Sequence, residues 1–236
     1  MIKKIKKLLK PEQKKENFSS VYIPASFRRQ NIIFIKIPKC AGTSISINLF
    51  GYGVSHKHLQ LYWEKDPEFV QNAFKFSFVR HPYLRLWSAY NFLKRGGINK
   101  HDANIVQKNP DAFESFSSLI DALSHSESLK DWIHFRPQYQ FLSIPREKKY
   151  SIYMDFVGKT ENMKNDLDYL SQILPSELKD RLKLIIKEPI NVAERKEIEV
   201  NKDLVKKVVD LYEYDFESFG YEAFNSVEKI KNLYSN

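Results

Sequence analysis

The sequence is poor in cysteine and glycine and has no long apolar run. Its one cysteine, Cys40, excludes an internal disulfide and a cysteine-rich zinc site. With 7 glycines among 236 residues, a glycine-rich low-complexity chain is excluded. No segment approaches the roughly 18 apolar residues of a membrane-spanning helix. The N-terminus, MIKKIKKLLK before Pro11, lacks the apolar core of a secretory signal. These absences favour a protein of the reducing cytoplasm.

Positive charge is concentrated at the N-terminus. The net charge is +9, and residues 1–15 contain seven lysines and one acid, Glu12, so 7 − 1 = +6 lies there. The rest of the chain carries 9 − 6 = +3, which argues against the strongly basic surface of a nucleic-acid-binding protein. Residues 1–15 are expected either to be a solvated terminus or to contact an anionic membrane surface, because their apolar residues share one helical face.

Alternating strand and helix patterns predict an α/β fold with a mainly parallel sheet. Short β-branched runs predict strands over residues 31–37, 74–79 and 151–157. Helices are predicted over residues 43–50, 83–94, 111–123, 160–174, 176–186 and 201–212, with Thr160 as an N-cap and a polar loop over residues 97–110. Residues 1–30 are predicted to be a flexible basic segment and residues 31–236 a single domain.

The segment IPKCAGTS (residues 37–44) follows the first predicted strand and opens a helix. Small residues let the backbone curl so that several N–H groups face one anion, and the helix N-terminus adds partial positive charge. Lys39 supplies a full charge, and Thr43 and Ser44 supply hydroxyl groups. The leading glycine and terminal lysine of the NTPase loop GxxxxGKS/T are missing. The segment therefore predicts a phosphate-binding loop of another type, the alternative being an ordinary strand-to-helix turn.

The segment FVRHPYLRLWSAY (residues 78–90) spans the end of the second strand and the start of a helix. Arg80 lies where the strand ends, so its guanidinium can hold a phosphate with two hydrogen bonds. Ser88 follows on the helix and can reach the same anion. Arg85 is expected to pair with a carboxylate or to cover apolar surface. Because ligands of parallel sheets bind beyond the carboxyl ends of the strands, the two segments together predict one anion-binding cleft.

The two motifs together resemble those of the sulfotransferases that depend on 3′-phosphoadenosine-5′-phosphosulfate (PAPS). IPKCAGTS resembles the 5′-phosphosulfate-binding loop of that family, and FVRHPYLRLWSAY resembles its 3′-phosphate-binding strand and helix. Cys40 and His81 depart from the residues common at their positions. The segments similar to the carbohydrate sulfotransferase branch are HFRPQYQFL (134–142), DFVGKTENMKNDL (155–167) and LYEYDFESFGY (211–221), so that the resemblance spans residues 31–222.

The resemblance implies a P-loop-like three-layer α/β core in which a mainly parallel sheet is flanked by helices. It implies that Lys39 contacts the oxygen bridging phosphate and sulfur and stabilises the leaving group. Arg80 and Ser88 would hold the 3′-phosphate. The loop that would hold the 5′-phosphate consists of Lys39, Cys40, Ala41, Gly42, Thr43 and Ser44. The reaction requires no metal ion and releases adenosine 3′,5′-bisphosphate (PAP).

Sulfuryl transfer to a hydroxyl also needs a group that accepts the hydroxyl proton. The resemblance implies a histidine or glutamate between the two motifs. His58 in SHKHLQ (residues 55–60) aligns best, His56 is the reserve candidate and Glu64 is a more distant one. Cys40 is interpreted as a small filling residue rather than a nucleophile, because no Cys–His pair is evident.

The predicted activity is transfer of a sulfuryl group from PAPS to a carbohydrate or glycolipid, as in polysaccharide biosynthesis. The enzyme would be cytoplasmic, with residues 1–15 as a candidate contact to the inner face of the membrane, and would bind no nucleic acid. Two alternatives stay open: a nucleotide or small-molecule kinase with an atypical phosphate loop, and a non-catalytic binder of adenosine bisphosphate or anionic glycan. The identity of the acceptor and the oligomeric state are left open by the sequence.

Overall fold

The computed structural model describes residues 21–146, 149–187, 197–222 and 227–235. Strands β1 to β5 are Ile32–Ile35, Phe74–Val79, Ser143–Arg146, Lys149–Ile152 and Phe156–Lys159. Helices α1 to α14 are Ala25–Gln30, Gly42–Phe50, Leu59–Lys65, Pro67–Asn72, Pro82–Lys94, Lys100–Lys108, Phe116–His125, Glu127–Lys130, Gln138–Leu142, Met163–Ile173, Ser176–Lys187, Lys202–Leu211, Glu213–Ser218 and Val227–Ser235. Short 3-10 helices cover Asp111–Phe113 and Thr160–Asn162.

A three-stranded parallel sheet carries the functional loops. Strand β2 lies between β1 and β5, with Phe34 opposite Phe76 and Phe78 opposite Gly158. Every residue of β1 is buried, which is the pattern of a strand that is covered on both faces. The predicted α/β fold, a parallel sheet flanked by helices, is confirmed.

The predicted strand over residues 151–157 is divided between two sheets. Strand β4 pairs antiparallel with β3 in a hairpin, whereas β5 pairs parallel with β2. Between β4 and β5, the N–H of Asp155 donates to the Lys75 carbonyl at 2.9 Å, and its carboxylate accepts the Lys75 N–H at 2.7 Å. The prediction of one continuous strand is wrong, because an apolar run does not reveal which neighbour each half will pair with.

Three predictions of helices and loops are wrong in their placement. The predicted helix over residues 111–123 is divided into the 3-10 helix Asp111–Phe113 and helix α7, because the Ser115 side chain caps the start of α7 by accepting the Ser118 N–H at 3.0 Å. The predicted loop over residues 97–110 contains helix α6, whose N-cap Asn99 accepts a hydrogen bond from the Asp102 N–H at 3.0 Å. The polar composition hid this helix, since Asp102 is its one buried residue. Helix α10 begins at Met163, because Thr160 lies in the 3-10 helix that precedes it. The helices predicted over residues 43–50, 83–94, 176–186 and 201–212 are confirmed to within one residue at each end.

The folded part begins before the predicted boundary at residue 31. Helix α1 lies inside the segment predicted to be flexible, and its Phe27 is fully buried. Val21 and Ile23 join the same apolar cluster as β1. Residues 1–20, and with them the predicted membrane contact of residues 1–15, lie outside the described residues. No helix in the described ranges is both long and apolar enough to cross a membrane.

The two predicted motif segments leave the sheet at the same edge. Strand β1 leads into residues 36–41 and β2 leads into Arg80, and the parallel pairing of β1 with β2 places both carboxyl ends side by side. Helix α2, which follows the first segment, contributes Ile45 to the apolar cluster around the sheet. Helix α5, which follows the second, contributes Leu86 to a second cluster built from helices. Each segment is therefore anchored by its own apolar cluster.

Candidate anion-binding site

The chain turns sharply from β1 into helix α2. Lys39 and Ala41 adopt left-handed backbone conformations, with φ of 68° and 56°, and such conformations cost a non-glycine residue about 1–2 kcal/mol. The first backbone hydrogen bond of the helix runs from the Ile45 N–H to the Ala41 carbonyl at 3.2 Å. The N–H groups of Gly42 and Thr43 precede this bond and lie outside the intrahelical pattern. The turn therefore presents backbone donors at a helix N-terminus, an arrangement suited to an anion.

Two basic side chains gather at this turn without a carboxylate partner. The Lys39 ammonium lies 3.9 Å from the centroid of the Phe92 ring. Burial, together with the charges of Arg80 and Arg95, lowers the pKa of Lys39 to about 8. Within the described ranges, neither the Lys39 ammonium nor the Arg80 guanidinium forms an ion pair. Positive charge that is concentrated and left uncompensated favours the binding of an anion.

One buried glutamine joins the two motifs. The side-chain oxygen of Gln138 accepts hydrogen bonds from the Cys40 thiol at 3.2 Å and from the Arg80 N–H at 2.9 Å. Its amide group donates to the Arg80 carbonyl at 2.9 Å. Gln138 thereby fixes the backbone at the end of β2 relative to the loop after β1. Gln138 lies in the family-like segment HFRPQYQFL and is expected from the sequence to be structural, but its partners Cys40 and Arg80 are not predicted.

The thiol of Cys40 takes part in this bridge as a donor. Cys40 is fully buried, and burial raises the pKa of its thiol to about 12. The thiol therefore stays protonated at neutral pH, as its hydrogen bond to Gln138 requires. These observations support the interpretation of Cys40 as a structural residue.

The predicted hydroxyl residues occupy different surroundings. Thr43 is partly exposed in the first turn of α2, whereas Ser44 is buried and its Oγ lies 3.5 Å from Asn48 Nδ2. Ser88 is partly exposed in the second turn of α5. The structure thus brings the loop residues and Arg80 to one edge of the sheet and places Ser88 on the helix that follows Arg80.

The carboxylate of Asp215 holds the segment that carries Gln138. Its two oxygens accept the N–H groups of Gln138 and Tyr139, each at 2.9 Å. Asp215 is fully buried. Burial raises the pKa of Asp215, and the nearby charge of Arg85 and the hydrogen bonds from Gln138 and Tyr139 act in the opposite direction. Asp215 therefore fixes the backbone that carries Gln138 and is itself shielded from solvent.

Arg85 is the second buried charge that holds this segment. Its side chain is fully buried, and its guanidinium lies 5.5 Å from the centroid of the Tyr212 ring. The expected carboxylate partner is replaced by backbone carbonyls, since the guanidinium donates to those of His134 at 3.2 Å, Phe135 at 3.5 Å and Arg136 at 2.8 Å. The Tyr212 hydroxyl donates to the Phe135 carbonyl as well, at 2.7 Å. Hydrogen bonds from buried side chains therefore fix the backbone of residues 134–138.

His58, the first candidate for the proton acceptor, is engaged with an arginine. Its Nε2 lies 2.9 Å from Nη1 of Arg136. Because a guanidinium can only donate, His58 Nε2 accepts this hydrogen bond. Its ring packs against Phe141 with 4.4 Å between ring centroids. Burial, followed by the charge of Arg136, lowers the pKa of His58 to about 4.

His56, the reserve candidate, is hydrogen-bonded through its other ring nitrogen, and to an acceptor instead of a donor. Its Nδ1 lies 2.8 Å from the carbonyl oxygen of Lys36. A carbonyl only accepts, so Nδ1 carries the proton and Nε2 keeps a lone pair. Burial lowers the pKa of His56 to about 4, and the charges of Lys36 and Lys39 act in the same direction. Glu64 is exposed and accepts a hydrogen bond from Gln60 at 2.7 Å.

Two acidic side chains near the site bind protein groups. Glu161 accepts the His81 N–H at 2.7 Å and the Tyr221 hydroxyl at 3.1 Å, which ties the turn after Arg80 to the C-terminal part of the chain. Asp102 lies 3.2 Å from His134 Nε2. In the part of the chain that the structure describes, no group of three or more histidine, cysteine, aspartate or glutamate side chains could hold a metal ion.

One family of known proteins matches most of the chain. The model of the family described as "Sulfotransferase family" matches residues 26–222. This range includes both motif segments, the bridging Gln138 and the supporting Asp215. Neither a curated protein nor a solved structure gives a significant match.

Proposed function

The chain belongs to the sulfotransferase family, and on that basis we propose that it transfers the sulfuryl group of PAPS to a hydroxyl of a carbohydrate or glycolipid and releases PAP. Family membership supports a sulfotransferase activity of some kind. The donor and the acceptor class are the proposed part, and so are the cytoplasmic location and the membrane contact of residues 1–15.

The observation that best supports PAPS as the donor is the pair of positive charges, without ion-pair partners, at the edge of the sheet. Lys39 and Arg80 follow two neighbouring parallel strands, and the charge of Arg80 contributes to the lowered pKa of Lys39. Placing two cations so close is unfavourable until an anion binds between them. PAPS carries anionic groups at both its 5′ and its 3′ positions, and so matches a cleft with one cation on each of two strands.

In the proposed reaction the acceptor oxygen attacks the sulfur of PAPS. The bond between sulfur and the bridging oxygen breaks, and its electron pair stays on the 5′-phosphate oxygen. Lys39 and the backbone N–H groups at the start of α2 stabilise the charge that develops there. The 3′-phosphate is held by Arg80 and Ser88, which orients the donor. The acceptor hydroxyl gives its proton to a histidine.

The geometry favours His56 over His58 as that histidine. The lone pair on His58 Nε2 is occupied by Arg136, whereas the tautomer of His56 leaves its Nε2 available as an acceptor. We expect His56→Ala to lower the turnover number by at least about tenfold, since a positioned base contributes about 10²–10⁴-fold. PAP affinity should stay unchanged, because the base binds the acceptor and not the product nucleotide.

The matched variant is His58→Ala, measured in the same assay of turnover and PAP affinity. A smaller loss for His58→Ala than for His56→Ala supports the assignment of the base to His56. If His58→Ala loses at least about tenfold and His56→Ala retains turnover, the base is His58, as the sequence alone indicated.

The proposed function is tested by following labelled sulfate from PAPS into polysaccharide and glycolipid acceptors. The reaction is run with and without a metal chelator and is compared with transfer of labelled phosphate from ATP and magnesium. PAPS-dependent labelling of a glycan that survives chelation supports the proposal. Labelling from ATP without any from PAPS would assign the site to a kinase instead.

A further inference from the structure

Lys36 is a buried lysine beside the phosphate loop, and neither sequence motif assigns it a role. It follows the last residue of β1, and only 9% of its surface is exposed. Its stem lies across the first residue of helix α2: a Cβ atom on Gly42 would lie 2.5 Å from Lys36 Cγ and 3.4 Å from both Cδ and Cε. The missing side chain of Gly42 therefore makes room for the lysine stem.

The ammonium group of Lys36 has no partner in the described parts of the chain. No hydrogen bond or ion pair holds it there. Burial lowers its pKa. A lysine side chain is rarely this buried without a partner. The Nζ atom itself keeps some contact with solvent, so an anion can reach it. A bound anion would favour the charged form that burial disfavours at this place.

Two independent features meet at this position. Helix α2 is nine residues long, and its N-terminus presents the backbone N–H groups of Gly42 and Thr43. Lys36 brings a full positive charge along the same first turn, with its Cε against Gly42. Lys39, by contrast, extends its ammonium to the face of the Phe92 ring. The first turn of α2 is thus approached by a second lysine that is separate from the motif lysine.

We infer that Lys36 is a binding residue for the 5′-phosphate of the donor, in addition to Lys39 and the loop backbone. The inference rests on the proposed function, since it names a contact to the same nucleotide. After sulfuryl transfer the phosphate stays on PAP, so Lys36 holds the product as well as the donor. The contact depends on the phosphate at the 5′ position and not on the one at the 3′ position.

The test compares two nucleotides that differ only at that position. Binding of PAP and of adenosine 3′-monophosphate, which lacks the 5′-phosphate, is measured by calorimetry for the wild type and for Lys36→Met. Methionine keeps the length and the apolar stem but removes the charge. We expect Lys36→Met to weaken PAP binding by about tenfold to a hundredfold, the range for a hydrogen bond to a charged group. Its affinity for adenosine 3′-monophosphate should equal that of the wild type.

A control substitution at an exposed lysine and a measurement of thermal stability accompany the binding experiment. Lys179→Met, at an exposed lysine of helix α11, should leave both affinities unchanged. Without ligand, Lys36→Met should unfold at the same temperature as the wild type or higher, because an unpaired buried charge has been removed. Lys36→Arg should recover part of the PAP affinity, since it restores the positive charge.

The outcomes separate this inference from the proposed function. Equal PAP affinity in Lys36→Met and the wild type would overturn the role of Lys36 while leaving the donor site intact. Equal weakening of both nucleotides, with a lower unfolding temperature, would assign Lys36 a structural role and overturn the inference as well. If the wild type itself fails to bind PAP, the proposed function falls and the inference falls with it.

Discussion

Replacing Lys39 by alanine is expected to lower the rate of sulfate transfer by about a hundredfold to a thousandfold, the loss seen when one preorganised group at a developing charge is removed. The reason is its place on the turn between β1 and α2, where the leaving phosphate would gain charge. PAP affinity should fall much less, because Arg80 and the N-terminus of α2 still hold the nucleotide. The rate is measured with labelled PAPS at saturating donor.

Alanine is chosen so that the conformational cost of the backbone at residue 39 does not change. Lys39 adopts a left-handed conformation with φ of 68°, which alanine finds as unfavourable as lysine does, whereas glycine would relieve it. The unfolding temperature of Lys39→Ala should therefore stay close to that of the wild type. Lys65→Ala, at an exposed lysine on helix α3, is the control for loss of one positive charge. A transfer rate for Lys39→Ala within about threefold of the wild type would contradict the catalytic role, given the loss expected at such a position.

Replacing Arg85 by methionine is expected to lower the free energy of unfolding by about 2 kcal/mol or more, because the His134 and Arg136 carbonyls lose this donor and each buried unsatisfied group costs about 1–3 kcal/mol. For a chain of this length the unfolding temperature should fall by about 4–8 °C. The Phe135 carbonyl between them keeps the Tyr212 hydroxyl as a donor. Loosening residues 134–136, directly before Gln138, should release the glutamine bridge, so PAP affinity should fall as well.

Arg181→Met is the matched control for this stability measurement. Arg181 is exposed and donates to one carbonyl, that of Leu49, at 2.9 Å. Losing this one partly buried hydrogen bond should cost about 1 kcal/mol. Both variants are compared by thermal and denaturant unfolding. If Arg85→Met is no less stable than Arg181→Met, the guanidinium does not hold the 134–138 segment in the way its hydrogen bonds indicate.

The parts of the site that lie within one strand–turn–helix unit could be predicted from the sequence. The β-branched run before Pro38 marks a strand, and the small residues after Lys39 mark the turn into a helix. Arg80 is recognisable in the same way, since His81 and Pro82 end the strand next to it. These signals are local, and each needs only the residues within one turn or strand of it.

The bridge between the two units could not be predicted, because its partners are far apart in the chain. Gln138 contacts Arg80 across 58 residues, Cys40 across 98 and Asp215 across 77. No periodicity or motif links such positions in a single sequence. Lys36 could not be predicted for a different reason. It lies at the end of a strand-like run, and nothing in that run indicates that its side chain packs across Gly42 of the next helix.

Helix α6 had a local signal that the polar composition concealed. Asn99 at the N-cap and Asp102 three residues later are typical of a helix start. Asp102 also accepts the Ile98 N–H at 3.1 Å and lies 3.2 Å from His134 Nε2. This buried contact between the 97–110 and 134–138 segments stabilises the helix together with Ile105 and Val106, which pack against the helical cluster. Tertiary contacts of that kind cannot be deduced from composition.

The measurement that tests the proposed donor site most directly is thermal unfolding with PAP, with ATP plus magnesium as the comparison. A ligand at 100 times its dissociation constant stabilises the folded state by about 2.7 kcal/mol, which for a chain of this length raises the unfolding temperature by about 5–11 °C. We predict such a rise with PAP in the presence of a metal chelator, and none with ATP. A rise with ATP and magnesium and none with PAP would contradict the sulfotransferase site and favour a kinase.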